Sequence, residues 1–289
     1  MEYFLFLPQM RFTLDQMVER AVAAEANGFA GIALMDHMAP PLAEDQPMWE
    51  AMTTAMLLAA RTSTLKVGHL VLCDAFRHPA LLARQAITLD HASGGRFELG
   101  IGWGSVPTEF ESWGVGSTEA KQRVARLKET LEVLRLLWAG EPVDYDGDFH
   151  TLKGVQHRPA PLGRIPIVIG GSGPKTRALV AEHADWWNVP VHQLAGMDEL
   201  RSTVGDARVS VQQMLALVPS EAQREEITAL AQKRFFGMHR SGGLVIGNVD
   251  ELAAHFDDLA TRGVERAYVW FADFAPPPTL EAFAALSAR

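Results

Sequence analysis

The sequence predicts an α/β protein folded as a TIM-like (β/α)8 barrel with insertions, and three observations carry the prediction. Short β-rich runs alternate with longer helical patterns along nearly the whole chain. These runs are apolar throughout, as expected of parallel strands that are buried on both faces. The chain has 289 residues, 48 % of them hydrophobic, which suits one barrel with a large core. We therefore expect a single domain over 1–289.

A doubly wound parallel sheet is the main alternative to the barrel. Such a sheet usually carries a glycine-rich dinucleotide fingerprint directly after its first strand. The corresponding stretch here, 7–15, has the sequence LPQMRFTLD and contains no glycine. The barrel is therefore the more economical prediction.

The first half of the chain contains four predicted strands, each followed by a predicted helix. The strands cover 3–8, 30–35, 65–72 and 96–102, and the helices cover 13–28, 48–63, 78–95 and 117–140. Thr13 is a typical N-cap, Gly28 follows the end of its helix, and Pro79 stands in a first helical turn. These signals fix the order of the elements.

The second half is less regular. An Asp-Gly pair between short β-like runs predicts a small hairpin outside the main sheet, near 141–155. The remaining predicted strands are 165–171, 185–190 and 265–271, and the remaining helices are 174–184, 220–237 and 247–263. Residues 191–243 form a variable region that follows the pattern least well, although 207–218 has the composition of a strand.

Composition argues against several classes of function. The net charge is −9 and the charges of both signs are interspersed, which disfavours a nucleic-acid partner. Cys73 is the only cysteine, so the chain can form neither an intrachain disulfide nor a cysteine zinc site. No histidine spacing typical of a metal site occurs, and no apolar run has membrane-spanning length. We expect a soluble cytoplasmic protein without a metal or a membrane partner.

Ionisable residues stand where predicted strands end, and the carboxyl ends of the strands form the active-site face of a barrel. Asp36 and His37 follow the second strand and precede Pro40 and Pro41. Glu109 lies a few residues beyond the fourth strand and could face the same mouth. His37 is a candidate for proton transfer near neutral pH. Taken alone, Asp36 and His37 are equally typical of an ordinary loop.

Glycines mark the ends of two predicted strands. Gly100, Gly102 and Gly104 end the fourth strand, where they indicate either close approach by a flat ligand or a tight turn. The fifth strand ends on four small residues, Gly170, Gly171, Ser172 and Gly173. A helix follows them at once, so free backbone amides and the helix dipole predict an anion site that suits phosphate.

The Asp-His pair at 36–37 and the segments 76–104, 165–188 and 246–271 together resemble the luciferase-like monooxygenase superfamily. The resemblance is to its branch of oxidoreductases that use the deazaflavin coenzyme F420. It implies a bacterial luciferase-like barrel with F420, or alternatively FMN, bound across the mouth. Members of this family usually form dimers, so a homodimer is expected.

The resemblance also assigns roles to residues. It implies a bulge in the third strand, often with a non-proline cis peptide, that backs the cofactor ring near Leu70 and Val71. The Asp-His pair would lie near the reactive edge of the ring, and 170–172 would lie at the phosphate. The predicted catalytic residues are His37, Asp36 and Glu109. The predicted cofactor-binding residues are Asp36, Leu70, Val71, Cys73, Gly102, Gly104, Gly170, Gly171, Ser172 and Gly173.

Two catalytic functions follow from the resemblance, and a cofactor-binding protein without catalysis is a third alternative. The first is hydride transfer between F420 and an unidentified small organic substrate. The second is an FMN-dependent monooxygenase that uses O2 and reduced flavin from a separate reductase. Ser105 stands where sugar-phosphate-oxidising members carry an acid, and Pro41 stands where they carry a tryptophan. We therefore expect a substrate other than a sugar phosphate.

Overall fold

The computed structural model describes residues 1–41, 43, 45–236 and 243–287, and within them eight parallel strands close into a barrel. In pairing order these strands are β1 (Glu2–Phe6), β2 (Gly31–Leu34), β3 (Lys66–His69), β5 (Phe97–Gly102), β8 (Ile167–Gly170), β9 (Trp186–Val189), β10 (Arg208–Leu217) and β12 (Arg266–Phe271). The other strands are β4 (Leu72–Cys73), β6 (Val143–Asp146), β7 (Thr151–Val155) and β11 (Leu244–Gly247). Strand β12 pairs with β1 and so closes the barrel. The predicted fold class is confirmed.

Helices connect the strands and pack around the barrel. They are α1 (Leu14–Ala26), α2 (Ala51–Arg61), α3 (Pro79–Ser93), α4 (Pro107–Trp113), α5 (Ala120–Trp138), α6 (Pro174–His183), α7 (Met197–Arg201), α8 (Arg224–Arg234), α9 (Val249–Thr261) and α10 (Pro277–Ser287). Helix α1 begins with a capping box in which Thr13 and Gln16 satisfy each other's backbone amides. Among the described helices, none has the length and apolarity needed to cross a bilayer.

The main core lies between the barrel wall and the helices. One apolar cluster joins strand residues such as Leu5 and Ile32 to helix residues such as Met17 and Leu58, all of them inaccessible to solvent. Full burial of such a side chain contributes roughly 1.5–3 kcal/mol to folding. The amphipathic helices therefore hold the barrel closed from outside.

Strand β10 is longer than the other barrel strands and pairs with two strands along one edge. Its first part, Arg208–Val211, pairs with β9, and its last part, Met214–Leu217, pairs with β11. The opposite edge pairs with β12 from Ser210 to Leu215. Strand β11 thus extends the sheet beyond the end of β9 and is not needed to close the barrel.

A separate hairpin interrupts the barrel pattern where the Asp-Gly pair indicated it. Strands β6 and β7 pair antiparallel and form a sheet of their own. The carboxylate of Glu129, on α5, accepts hydrogen bonds from the turn amides of Asp148 and Phe149 at 2.8 and 2.9 Å. This contact fixes the hairpin to the outside of the barrel.

Four regular elements were not predicted. Helix α7 lies inside the variable region, and each of the other three has a local reason. Helix α4 is only seven residues long and stands between glycine-rich turns. Strand β11 has four residues and no alternation of polarity. Helix α10 begins within a run of three prolines, which resembles a loop in sequence. The predicted helix end at Gly237 lies outside the described residues, and α8 ends at Arg234.

The amino end of the barrel is closed by a cluster of charges. Arg266 is 0 % exposed, and its guanidinium contacts the carboxylates of Glu98 at 2.5 Å and Glu2 at 2.6 Å. The same guanidinium stacks on the rings of Phe4 and Trp186, at 3.9 and 3.7 Å from their centroids. These contacts fill the amino end of the barrel. Among the described residues, access for a ligand is therefore from the carboxyl ends of the strands.

Candidate active site

A cavity of about 520 Å³ lies at the carboxyl ends of the barrel strands, within the usual size range of small-molecule sites. All the predicted site residues line it: Asp36, His37, Leu70, Val71, Cys73, Gly102, Gly104, Glu109, Gly170, Gly171, Ser172 and Gly173. All of them except Glu109, which lies on α4, come from the ends of β2, β3–β4, β5 and β8. The barrel brings these ends together because its strands are parallel.

His37 and Glu109 form a hydrogen-bonded pair in this cavity. Nδ1 of His37 lies 2.8 Å from Oε2 of Glu109, and both side chains are mostly shielded from solvent. Helix α4 presents Glu109 from its first turn, and the other carboxylate oxygen accepts the amide of Met38 at 2.7 Å. Nε2 of His37 makes no hydrogen bond to any described residue. We assign the proton to Nδ1, which leaves Nε2 free to exchange a proton with a ligand.

The glycine-rich turn after β8 leads directly into α6. Gly171 has a φ of +115°, and a Cβ there would lie 3.3 Å from Cγ2 of Thr176. The turn is fixed by the indole of Trp187, which donates to the Gly171 carbonyl at 2.7 Å. Gly173 is the N-cap of α6 and provides no side-chain cap for the first helical turn. Backbone amides at an uncapped helix start are a ready anion site.

The edge from β3 to β4 contains the bulge that the resemblance implies. Val67 pairs with Phe97 of β5, whereas Leu72 pairs with Ile101, so β3–β4 holds one extra residue. The peptide bond between Leu70 and Val71 within this stretch is cis. Both residues line the cavity.

The alternate glycines of β5 fit the protein itself more than a ligand. A Cβ at Gly100 would overlap the carbonyl of His69, and one at Gly102 would lie 2.8 Å from Cγ2 of Val71. A Cβ at Gly104, where φ is +83°, would overlap the ring of Phe110. These glycines therefore make room for the bulge and for α4, and because Gly102 and Gly104 also line the cavity, their role in cofactor binding stays a prediction.

A family model described as luciferase-like monooxygenase matches residues 1–237 of the chain. The chain belongs to this family. The resemblance inferred from the sequence motifs is thereby confirmed.

Curated relatives of this luciferase-like chain include F420-dependent glucose-6-phosphate dehydrogenases. The protein from Microbacterium testaceum is 30% identical over 236 residues, which cover 78% of this chain and 70% of that protein. The protein from Mycobacterium avium is 35% identical over 166 residues, which cover 57% of this chain and 49% of that protein. The chain thus spans about half the length of several curated relatives that it matches.

Solved structures share the luciferase-like fold over nearly all of the chain. An F420-dependent secondary alcohol dehydrogenase in complex with an F420-acetone adduct gives a TM-score of 0.82 at 18% identity, with 100% of this chain and 99% of that chain covered. An EDTA monooxygenase from Chelativorans sp. BNC1 gives 0.85 at 14% identity, with 100% and 93% covered. At these identities the likeness concerns the fold alone.

Asp36 of this luciferase-like site contacts Arg77 rather than His37. Its carboxylate accepts both guanidinium nitrogens of Arg77, at 2.5 and 3.0 Å, and the amide of Cys73 at 2.8 Å. Arg77 also pairs with Glu50 at the start of α2. Burial would raise the pKa of Glu50, but hydrogen bonds from the Thr53 amide and Arg77 lower that pKa to about 2. The cluster ties the end of β2 to the segment after β4.

Cys73 lines the cavity but is poorly suited to act as a nucleophile. It is 6% exposed, and burial raises the pKa of its thiol to about 12. The thiol therefore stays protonated near neutral pH, and the reactive form of a cysteine is the thiolate. These facts support a packing role for Cys73 in the cavity wall.

Sequence reasoning missed part of the cavity wall. The additional lining residues are Phe6, Met35, Leu72, Trp103, Ser105, Thr176, Gln212 and Trp270. Several of them, such as Phe6 on β1 and Trp270 on β12, lie at the carboxyl end of a barrel strand. That position was the available signal, but an apolar residue at a strand end is also typical of the core.

Proposed function

We propose that this luciferase-like chain is an oxidoreductase that binds coenzyme F420 and moves a hydride between it and a small organic substrate. The observation that carries the proposal is one cavity that combines an uncapped glycine-rich helix start, a strand bulge and a His–Glu pair. The F420-dependent dehydrogenases among the relatives support the choice of cofactor. We also propose that the protein is a cytoplasmic homodimer, with a separate flavin or F420 reductase as a further partner.

The residues present fit a ribityl-phosphate cofactor. Backbone amides of Ser172, Gly173 and the start of α6 would hold the phosphate, because that helix start lacks a side-chain cap. The Gly171 amide already donates to the Asn188 carbonyl at 3.1 Å. Glycine suits position 171 because a Cβ there would lie against Thr176 on a strained backbone. Leu70 and Val71 would support one face of the ring. F420, when bound, supplies a two-electron hydride acceptor or donor that reacts poorly with oxygen.

His37 would act on the substrate at Nε2. In the oxidising direction it takes the hydroxyl proton while the hydride leaves the adjacent carbon, and in the reverse direction it returns that proton. Glu109 holds the imidazole through Nδ1 and stabilises the imidazolium that forms, so we assign it a positioning role. The surrounding apolar wall keeps water away from the pair.

Asp36 would act through its neighbours and not on the substrate. Both of its carboxylate oxygens are engaged by Arg77, and one also accepts the Cys73 amide. Such a carboxylate is a poor proton acceptor for a ligand. We infer that Asp36 fixes the loop that carries His37.

A fluorescence titration with F420 and with FMN, at low and high salt, tests the proposal. The two cofactors share a tricyclic ring and a ribityl phosphate and differ in the anionic tail of F420. We expect tighter binding of F420, with an advantage that falls with salt because exposed charges are screened. Tighter binding of FMN, together with oxygen consumption after reduction, would replace the proposal by the monooxygenase alternative.

A further inference from the structure

The barrel geometry divides the cavity into a cofactor side and a substrate side. Around the ring of strands, β3, β5 and β8 are consecutive, and β10, β12 and β1 lie across the barrel from them. Strand β2 pairs with β3 and borders both sides. In the proposed function the cofactor occupies the side of the bulge and the glycine turn. A substrate must then lie on the side of β10, β12 and β1, which His37 reaches from the end of β2.

The substrate side is apolar. Phe6 ends β1, Met35 follows β2 and Trp270 lies near the end of β12, and all three line the cavity. The rings of Phe6 and Trp270 meet edge to face with centroids 5.1 Å apart, which makes this wall rigid. The wall favours hydrocarbon surface over hydroxyl groups.

The charges of the cavity disfavour an anionic substrate. Among the described residues that line it, the ionisable ones are Asp36, His37, Cys73 and Glu109, and Lys and Arg are absent. Arg77, the cation behind Asp36, is already paired with Asp36 and Glu50. A buried phosphate needs a cation or several amides, and the uncapped helix start is already assigned to the cofactor.

One uncharged polar group completes this side. Gln212 of β10 lines the cavity, and its side-chain amide makes no hydrogen bond to any described residue. An amide offers two donors and an acceptor without a net charge. It is suited to a second hydroxyl or carbonyl group of a neutral substrate.

We propose that the substrate is an uncharged alcohol whose reacting carbon bears apolar groups, or the corresponding carbonyl compound. This inference rests on the proposed function. In the oxidation, the carbon–hydrogen bond breaks and its electron pair leaves as hydride to F420. The hydroxyl proton passes to Nε2 of His37, and the carbon–oxygen double bond forms. The cavity charges and the residues Pro41 and Ser105 are independent reasons to expect a substrate other than a sugar phosphate.

Binding measurements on the F420-loaded protein test the inference. Glucose and glucose 6-phosphate form a pair that differs in charge, and cyclohexanol supplies an apolar alcohol. We expect glucose 6-phosphate to bind at least about tenfold more weakly than glucose, and cyclohexanol more tightly than either. Tighter binding of glucose 6-phosphate than of glucose would overturn the inference. Failure of F420 itself to bind would instead overturn the proposed function.

Two variants at one position sharpen the result. Gln212→Lys adds a cation to the cavity, and Gln212→Leu is the uncharged control of similar size. The lysine variant should improve binding of glucose 6-phosphate relative to glucose by about tenfold, whereas the leucine variant should not. Retained F420 affinity shows that each variant is folded. If glucose 6-phosphate bound equally well relative to glucose in the two variants, the inference from the cavity charges would be contradicted.

Discussion

At the amino end of the barrel Arg266 has carboxylate partners, whereas at the carboxyl end two polar groups have no partner among the described residues. Arg266 is enclosed by Glu2 and Glu98, and its guanidinium is sealed from solvent. Nε2 of His37 and the amide of Gln212, in contrast, face the cavity without a partner among the described residues. Removal of one partner of a buried ion pair destabilises a fold, and unpaired groups in a cavity are available to a ligand. The two ends should therefore respond differently to mutation.

The largest expected effect is on turnover at the carboxyl end. His37→Ala should lower turnover by roughly 100- to 10,000-fold because it removes the proposed proton-transfer group. Folding and F420 affinity should stay close to wild type. Turnover with an uncharged alcohol and a parallel F420 titration measure both. Wild-type turnover in the variant would refute the assigned role.

The next effect is on stability at the amino end. Arg266→Met removes the buried cation beside Glu2 and Glu98 and leaves them only the half-exposed Lys66, so the free energy of unfolding should fall by about 3 kcal/mol. Arg262→Met is the matched control, because its pair with Asp258 is half-exposed on α9 and is worth at most about 1 kcal/mol. Urea unfolding measures both. Equal losses of unfolding free energy in the two variants would show that the buried ion pair of Arg266 is no more important than the exposed pair of Arg262.

A smaller effect is expected at the glycine turn. Gly171→Val places a side chain on a backbone with φ of +115°, a strain of roughly 1–3 kcal/mol, and should weaken F420 binding about 10- to 100-fold. Gly173→Ala is the control, since Gly173 has an ordinary φ of −61° and open space around its Cβ position. Unchanged affinity in a folded Gly171→Val protein would remove the anion site from the proposal.

The smallest effect concerns acid stability. Burial lowers the pKa of His69, at the end of β3, from 6.5 to about 4. The unfolded chain therefore takes up this proton near pH 6.5, and the folded chain only near pH 4. The contribution of His69 is complete above pH 6.5 and is lost as the pH falls toward 4.

The variant His69→Gln should flatten that acid limb. We expect the loss of unfolding free energy between pH 7 and pH 5.5 to shrink by about 1 kcal/mol. His91→Gln, on the exposed face of α3, serves as the control. Urea titrations at both pH values give the comparison, and an unaltered slope in His69→Gln would show that other groups dominate.

The sequence allowed most of the barrel and much of the site to be predicted, for one physical reason. Parallel strands gather their carboxyl ends on one face, so residues such as His37 and Gly171, which follow different strands, had to meet. The four strands of the first half were found from their apolar runs close to their observed bounds. Helix caps such as Thr13 fixed the helix starts.

The missed features depend on contacts between distant residues. The hydrogen bonds between Asp36 and Arg77 span 41 positions, and the contact between His37 and Glu109 spans 72. Gly100 and Gly102 accommodate a bulge that belongs to another strand. The sequence alone therefore could not show which atoms these glycines make room for. Such pairings leave no local pattern, so single-sequence reasoning found the residues but not their partners.

The length of β10 has a consequence for how this protein can be altered. Barrel closure is complete where β10 pairs with β9 and β12, and the last of those pairs is at Leu215. The chain then leaves the barrel and rejoins the sheet through β11, whose pairing with β10 closure does not require. The described residues 218–236 are consequently a segment outside the closed ring of strands, which packs on it through Ala231 and Phe235. Recombining this segment among homologues is a route to new substrate preferences that keeps the barrel, the glycine turn and the His37–Glu109 pair intact.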